Sequence, residues 1–587
     1  MNRLAGIALL AALFAGGCGT GEKATLILHN GKVVTVDNGF TIVSAVAVRG
    51  DRIVKAGADA EVLRLAGPDA ETIDLEGRMV LPGLIDSHLH ALGSAMYEFD
   101  HEVPDMLTVD DVLGYVRARA KVLGPGKWIV VSQVFITRLK DQRYPTRAEL
   151  DQAAPENPVV FRTGPDASLN SLALRLSGIG RNFRITDGKP GRIERDPKTG
   201  EPTGILRQCA RFIKAVPSER QPDDADRLER LKALFADYNS VGITSIGEGD
   251  TEDEQVALLR KLRDQGELSV RVFMYLAVDA QAPMEEIEQR LRQASMNPLH
   301  AYDNMLWLRG AKVFLDGGML TGSAFMREPW GVSRIYSIED PEYRGMRYIE
   351  PDKLYRIMRT ALANQLQLTA HSVGDGAVET FVDTAAALAR DGVDIRGGRP
   401  CLTHANFMTL DAIDKMARFG MVANMQPNWL QLDGATLLKH FGAERTKYFQ
   451  PYRTLLDKGV IVGGGSDHMQ KIGSFRSINQ YNPFLGIWTA LARTPRWMDE
   501  PFHPEQRITR EEAIRLYTIN NAYLSFEEKE KGSIEAGKLA DLIVVDRDLL
   551  ECPLDEIPQT RVLRTYLGGR LIFERSGAAP SRAAANT

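Results

Sequence analysis

Apolar and polar positions along this chain change period twice. From Ala24 to Val80, short β-branched runs alternate with polar turns. ATLILHNGKVVTVD sets Asn30-Gly31 between two such runs, and AVAVRGDRIVKAG repeats the pattern around Gly50-Asp51. Asn-Gly between apolar runs is a strong hairpin signal, so this stretch predicts a small antiparallel unit. The same texture returns near the C-terminus in GSIEAGKLADLIVVD and VLRTYLGGRLIFE. Chain ends of a domain usually lie close together. The pattern therefore predicts one small β-sandwich built from residues 24–80 and 527–575, followed by a flexible tail, 576–587.

Between them, residues 81–526 alternate β-rich apolar runs with helical periodicity. The predicted strands are MVLPGLID, GITSIGE, SVRVFMYL, RGAKVFLD, LQLTAH, RPCLTH, MVANMQ and VIVGGGSD, with amphipathic stretches such as PDKLYRIMRTALANQ between them. Eight β/α repeats predict an α/β fold, a (β/α)₈ barrel. Residues 93–240 are too many for one βα loop. They hold extra strands (KWIVVSQVF, NPVVFRT) and turn-rich segments, and are expected to form an insertion beside the barrel mouth.

Composition narrows the function. The 587 residues carry 72 Lys and Arg against 77 Asp and Glu, a net charge of -5. There is no basic footprint for nucleic acid. Cysteines at 18, 209, 401 and 552 form no CxxC pair, which argues against a disulfide scaffold or a zinc ribbon; Cys209 and Cys401 are expected to be small buried side chains. Met1 to Gly19 has a basic start at Arg3, an apolar run from Leu4 to Phe14, and small residues before Cys18. That run is too short to span a bilayer and suits a removed signal, residues 1–18. Small residues directly before a cysteine resemble a bacterial lipoprotein cleavage site. The expectation is an exported protein lipid-anchored through Cys18 at the outer membrane and facing the periplasm, with a secreted or periplasmic form as the alternative.

The chemistry gathers at predicted strand ends, where barrels of this kind place their sites. The first strand ends in Asp86-Ser87-His88-Leu89-His90. The fourth carries Lys312 ahead of Phe314-Leu315-Asp316. The fifth ends in His371, the sixth in His404 and the eighth in Asp467. His88 and His90 are two apart on a strand, so they point to one side. Imidazole with carboxylate suits zinc and other first-row metals. An ammonium cannot ligate, but a lysine driven neutral by burial can take up carbon dioxide and become a bridging carbamate. Lys312 as a simple salt-bridge partner is the plainer alternative. His101, His300, His440 and His503 have no partner pattern and are expected to be structural. His468 either enters the pocket or packs behind its strand. Asp316 is either a buried acceptor or a turn residue before Gly317-Gly318, and Asp375 either orients a ligand or starts a helix.

These motifs together resemble the amidohydrolase superfamily of metal-dependent hydrolases. VLPGLIDSHLH resembles its first-strand motif, and KVFLDGGMLTGSA the lysine segment of the branch that includes N-substituted formamide deformylases. TAHSVGDGAVE, LTHANF, MQPNW and GGGSDHM resemble that branch's later strand ends. The resemblance implies a divalent metal of the zinc type, one or two per chain. His88, His90 and Asp467 would hold the more buried ion, Lys312 as an N6-carboxylate would bridge, and His371 and His404 would hold the second. A hydroxide between the metals would attack a carbonyl, with Asp467 as the catalytic base and then acid. The implied reaction is hydrolysis of a C–N bond in a non-peptide amide, formamide or cyclic amide of a small-molecule substrate. A homodimer is the expected assembly.

Two segments depart from the branch: Thr163-Gly164-Pro165-Asp166-Ala167-Ser168 replaces an Asp-Gly-His type segment, and Gln208 stands where a Glu is usual. Asp166 and Gln208 lie in these segments, near where substrate is expected; Gln426, Asn428 and Trp429 at the end of the seventh strand, and His468 after Asp467, are the other substrate-pocket candidates. The alternatives are an ester, lactone or phosphoester hydrolase on the same site, and a non-catalytic surface-anchored binding protein on this scaffold.

Overall fold

The computed structural model describes residues 23–577 apart from 189–190, 217–219 and 337. The predicted signal, Cys18 and residues 578–587 of the predicted tail lie outside the described residues. Among the described residues no helix is long and apolar enough to cross a membrane.

Eight parallel strands form the barrel: β1 (Leu84–Leu89), β2 (Ile243–Thr251), β3 (Arg271–Ala277), β4 (Leu306–Phe314), β5 (Gln367–Ser372), β6 (Cys401–His404), β7 (Val422–Met425) and β8 (Val462–Gly464). Each predicted run contributes one strand to the barrel, and neighbours follow chain order. The ring closes between β8 and β1 by a bridge from Leu89 to His468. There Asp467 N donates to His88 O and His90 N to His468 O, both at 2.8 Å. Every residue of β1 is buried, as parallel strands covered on both faces require. The predicted amphipathic stretch is the helix Pro351–Ala363, which buries Leu354, Ile357, Met358 and Ala361. Those positions make one helical stripe toward the sheet.

MVLPGLID is not one strand. Met79–Pro82 pairs antiparallel with Leu542–Val545, and the chain then passes Gly83 into β1. A Cβ on Gly83 would lie 2.3 Å from Thr244 Oγ1, so only glycine lets the chain cross this close to β2.

Two sheets pack as the sandwich. One has four strands, Arg52–Gly57, Ala45–Arg49, Ala24–His29 and Ala66–Asp74; the other has six, drawn from both ends of the chain. Leu28, Val46, Val80, Leu542 and Tyr566 share their core. The Gly50-Asp51 hairpin forms as predicted, with Arg49 opposite Arg52. The Asn30-Gly31 hairpin does not. Ala24–His29 lies in the four-stranded sheet and Lys32–Val34 in the other, where it pairs parallel with Met79–Pro82. Ala24–His29 is also parallel to Ala66–Asp74, so the unit is mixed rather than antiparallel. The turn chemistry was satisfied by passing the chain between layers: Asn30 takes φ 56°, while a Cβ on Gly31 would meet Leu75 and Arg78. Long-range burial outweighed the local signal.

Barrel and sandwich are joined by a buried ion pair, Arg271 to Asp541, with bonds of 2.7 and 2.8 Å. The segment expected as an insertion forms its own five-stranded sheet, including Ile129–Ser132 and Val159–Thr163 from the two predicted runs. Its turn-rich part contains the hairpin of Arg192–Arg195 with Pro202–Arg207.

Candidate metal centre

The C-terminal ends of the barrel strands bring His88, His90, Lys312, His371, His404 and Asp467 around one cavity of about 380 Å³. Strand alternation puts His88 and His90 on one side, ring centroids 5.0 Å apart. His90 Nδ1 meets Gly249 O at 3.0 Å, which turns Nε2 toward Asp467 Oδ1 at 3.3 Å. His88 Nε2 lies 3.4 Å from the same oxygen and 3.4 Å from Lys312 Nζ. The ring of His404 is 5.5 Å from that of His88 and 4.5 Å from that of His371. One potential ligand atom each of His88, His404 and Asp467 lies within 4.8 Å of the others.

Two of these residues hold unusual backbone. His404 has φ 77° and Asp467 φ 53°, left-handed conformations costing of the order of 1–3 kcal/mol each for non-glycine residues, of a kind that clusters at functional sites. The surrounding contacts hold them. Gln426 Oε1 lies 2.8 Å from His404 Nδ1, and Trp429 stacks on the imidazole at 4.8 Å and 11°. Asn479 Nδ2 donates to Asp467 O at 2.7 Å and Oδ2 at 3.3 Å. Arg138, from the insertion, donates to Asn479 Oδ1 at 2.8 Å and pairs in a fork with buried Asp433.

Burial sets the protonation. It holds His88 and His404 well below the ordinary histidine range and His371 down at about 3. It also lowers Lys312 to about 8. His90 differs: burial works against its charge, but the hydrogen bond and charge of Asp467 outweigh this and raise it. Several imidazoles with free lone pairs, one amine lowered toward neutrality and one carboxylate thus converge. That donor set fits a divalent cation, and among the described residues buried His88 Nδ1 has no hydrogen-bond partner.

Of the other predicted residues, some line this cavity and some do not. Trp429 lines the cavity with Phe135, Phe314 and Met469. His468 does not enter it: it is fully buried behind the strand, with Nδ1 2.7 Å from the Tyr238 hydroxyl and Nε2 facing the carbonyls of Gln470 and Lys471. Its neighbour Asp467 faces the cavity, while the His468 ring packs against Tyr238 and Tyr481. Gln426 and Asn428 are also absent from the cavity wall. Gln426 serves His404, while Asn428 bonds Gln480 O and the Thr489 hydroxyl. Asp166 and Gln208 line a neighbouring cavity instead. Asp316 is no simple turn residue; it accepts from the backbone N–H groups of Phe325, Val373 and Gly374 at 2.9–3.0 Å, and burial pushes it to about 8. Asp375 starts the helix Asp375–Arg390 and accepts from Arg327 N.

The sequence reading missed Glu248, Asn479 and Arg138. Glu248, pushed by burial to about 7, accepts from Ala91 N with both oxygens. Its signal was available, an acid at the end of the predicted strand GITSIGE. Asn479 and Arg138 had none, because their partners lie 12 and 295 residues away.

A parallel eight-stranded barrel with histidines, lysine and aspartate at its strand ends, beside a small sandwich, defines the amidohydrolase class of hydrolases acting on C–N bonds, a class that uses a divalent metal. The chain matches the amidohydrolase family over residues 71–573 and belongs to it. It is 31% identical over 574 residues to the N-substituted formamide deformylase of Arthrobacter pascens, covering 95% of this chain and 100% of that protein. It is 26% identical to Protein LONG AFTER FAR-RED 3 of Arabidopsis thaliana, covering 94% and 92%. Its fold is similar to the crystal structure of an uncharacterized metal-dependent hydrolase from Pyrococcus furiosus, with TM-score 0.64 and 24% identity, over 90% of this chain and 100% of that one.

Proposed function

We propose that this protein hydrolyses the C–N bond of a non-peptide amide, a formamide or a cyclic amide. The convergence of His88, His90, Lys312, His371, His404 and Asp467 on one cavity carries this reading, and the likeness to a formamide deformylase supports it. His88, His90, Asp467, His371 and His404 would hold one or two zinc-type ions, with Lys312, as a carboxylate, as a further ligand. Such ions, when bound, supply Lewis acidity and lower the pKa of water. Asp467 Oδ1 takes the proton of the attacking water and returns it to the leaving nitrogen. Gly249 O fixes the His90 tautomer, and Trp429 and Gln426 fix the plane of His404. Phe135, Phe314 and Met469 give the substrate an apolar bed and exclude bulk water.

The test uses protein truncated after Cys18, purified with bicarbonate, assayed for metal and against N-formyl and N-acyl amines. Near two metals per chain, and turnover abolished by His88→Ala with His90→Ala, are expected. No bound metal after reconstitution, or full turnover in the double variant, would overturn it. Export and lipid anchoring through Cys18, with the enzyme facing the periplasm as a homodimer, belong to the same proposal. They rest on the leader sequence and the resemblance. Labelling with radioactive palmitate should disappear in Cys18→Ala.

A further inference from the structure

Two successive residues of the helix Asp224–Ser240, Asp237 and Tyr238, hold both ends of the segment that follows Asp467. The Tyr238 hydroxyl lies 2.7 Å from His468 Nδ1. Asp237 accepts from the Tyr481 hydroxyl, which in turn accepts from Gly473 N at 2.7 Å. The Tyr481 ring packs 4.2 Å from that of His468 and 4.9 Å from that of Tyr238. Tyr238 and His468 are fully buried, so bulk water does not replace a lost partner. His468 Nε2 faces two carbonyls, Gln470 O and Lys471 O, the latter at 2.9 Å. A carbonyl only accepts, so Nε2 carries the proton and Nδ1 is the acceptor. The Tyr238 hydroxyl is therefore the donor that fixes this tautomer.

The clipped turn is strained, with Lys471 at φ 54°, and persists only while its surroundings hold it. From this turn two side chains reach the insertion. Gln470 Nε2 donates to Gln133 O at 2.7 Å, and buried Lys471 Nζ meets Asp105 Oδ1 at 2.7 Å. Met469 and Gln133 both line the metal cavity. One hydroxyl that does not line the cavity thus heads a chain of contacts ending on two residues of its wall. Asp467 is held separately, by its N–H to His88 O and by Asn479. Without the Tyr238 hydroxyl, Nδ1 becomes a buried acceptor with no donor, which is costly. Moving the proton to Nδ1 leaves the two carbonyls without theirs, so neither tautomer satisfies both nitrogens.

We propose that Tyr238 is a positioning residue for substrate: through His468 it sets the Met469–Lys471 segment, and with it the cavity wall where the barrel meets the insertion. The proposal rests on the hydrolase reading of the metal cavity, but part of its test needs no turnover. Hydrogen exchange, metal content, and kcat and KM on N-formyl amines are measured for the metal-loaded parent, Tyr238→Phe, His468→Gln and the double variant. One hydrogen bond is worth a change of about five-fold. Tyr238→Phe should speed exchange in residues 469–473 and raise KM, each about five-fold, with kcat within about two-fold and metal content unchanged. Because the hydroxyl acts through His468, adding Tyr238→Phe to His468→Gln should move KM by less than about two-fold. Unchanged exchange in 469–473 would overturn the proposal. So would a loosened segment with the parent's KM, a kcat or metal content that falls as steeply as KM rises, or a further five-fold rise in the double variant. Should Tyr238→Phe fail to fold, His468→Gln decides alone: it must raise KM without loss of metal. Absent turnover by the parent on every formyl and acyl amine would sink the hydrolase reading by itself. Exchange and a crystal structure of Tyr238→Phe then decide this proposal, and an unmoved Met469 overturns it.

Discussion

Arg138 offers the sharpest separation of stability from catalysis. Its guanidinium reaches Asp433 through Nε at 3.0 Å and Nη2 at 2.7 Å, and Asn479 through Nη1 at 2.8 Å. Side chains of the ion pair are 3% and 1% exposed. Arg138→Met leaves the Asp433 charge buried and unpaired, a loss of about 3–5 kcal/mol for a pair of this kind. It also removes the donor that fixes Asn479, and with it one restraint on the Asp467 carboxylate. Loss of such an outer partner costs about 10–100-fold in activity or metal affinity. Adding Asp433→Leu removes the orphaned charge, and apolar replacement of both partners is often neutral or stabilising. The double variant should therefore regain its melting temperature but keep the reduced kcat. Thermal melts, metal content and kcat of the two variants decide it. If kcat recovers together with stability, Asn479 does not position Asp467 through Arg138. If the single variant melts like the parent, the ion pair is not the strut described.

Three further outcomes are expected. Asp541→Asn should lose about 3–5 kcal/mol at neutral pH, because Arg271 is left unpaired. Burial raises Asp541, but the Arg271 charge and bonds outweigh it and hold the carboxyl below its ordinary value. That stabilisation is complete above the unfolded value and is lost as pH falls through the depressed folded one, so the parent's melting temperature should drop more steeply below about pH 4 than the variant's. Gly249→Ala should abolish metal binding, since its Cβ would lie 2.2 Å from His88 Cε1; a metal content equal to the parent's would refute the contact. Lys312, lowered by burial to about 8, should carry the added mass of one carbon dioxide in bicarbonate, and Lys312→Met should halve the bound metal; an unmodified Lys312 with two metals would refute the bridge.

Much of the fold was legible in one dimension. Buried parallel strands show as apolar runs, and all eight stood out. Strand ends lie at the barrel mouth, and, although Gln426 at the end of MVANMQ does not line the cavity, this is why His88, His90, His371, His404 and Asp467 could be named as candidates from sequence. The hydrogen-bonded shell could not. Gln426 looked like a pocket residue and holds His404 instead; His468 follows Asp467 and faces the other way.

The sequence by itself determined the periodicities, the order of strands and the residue types at their ends, because those are set by burial and alternation within a few residues. Only the tertiary structure decided which layer each β segment joined. It turned the Asn30-Gly31 pair into a crossing between sheets, since one partner of Lys32–Val34, Met79–Pro82, comes from beyond the next four strands. It decided that Arg138 from the insertion would brace Asp467, and that Asp166 and Gln208 would face a second cavity. Those outcomes depend on packing among segments tens to hundreds of residues apart, and local pattern carries no record of it.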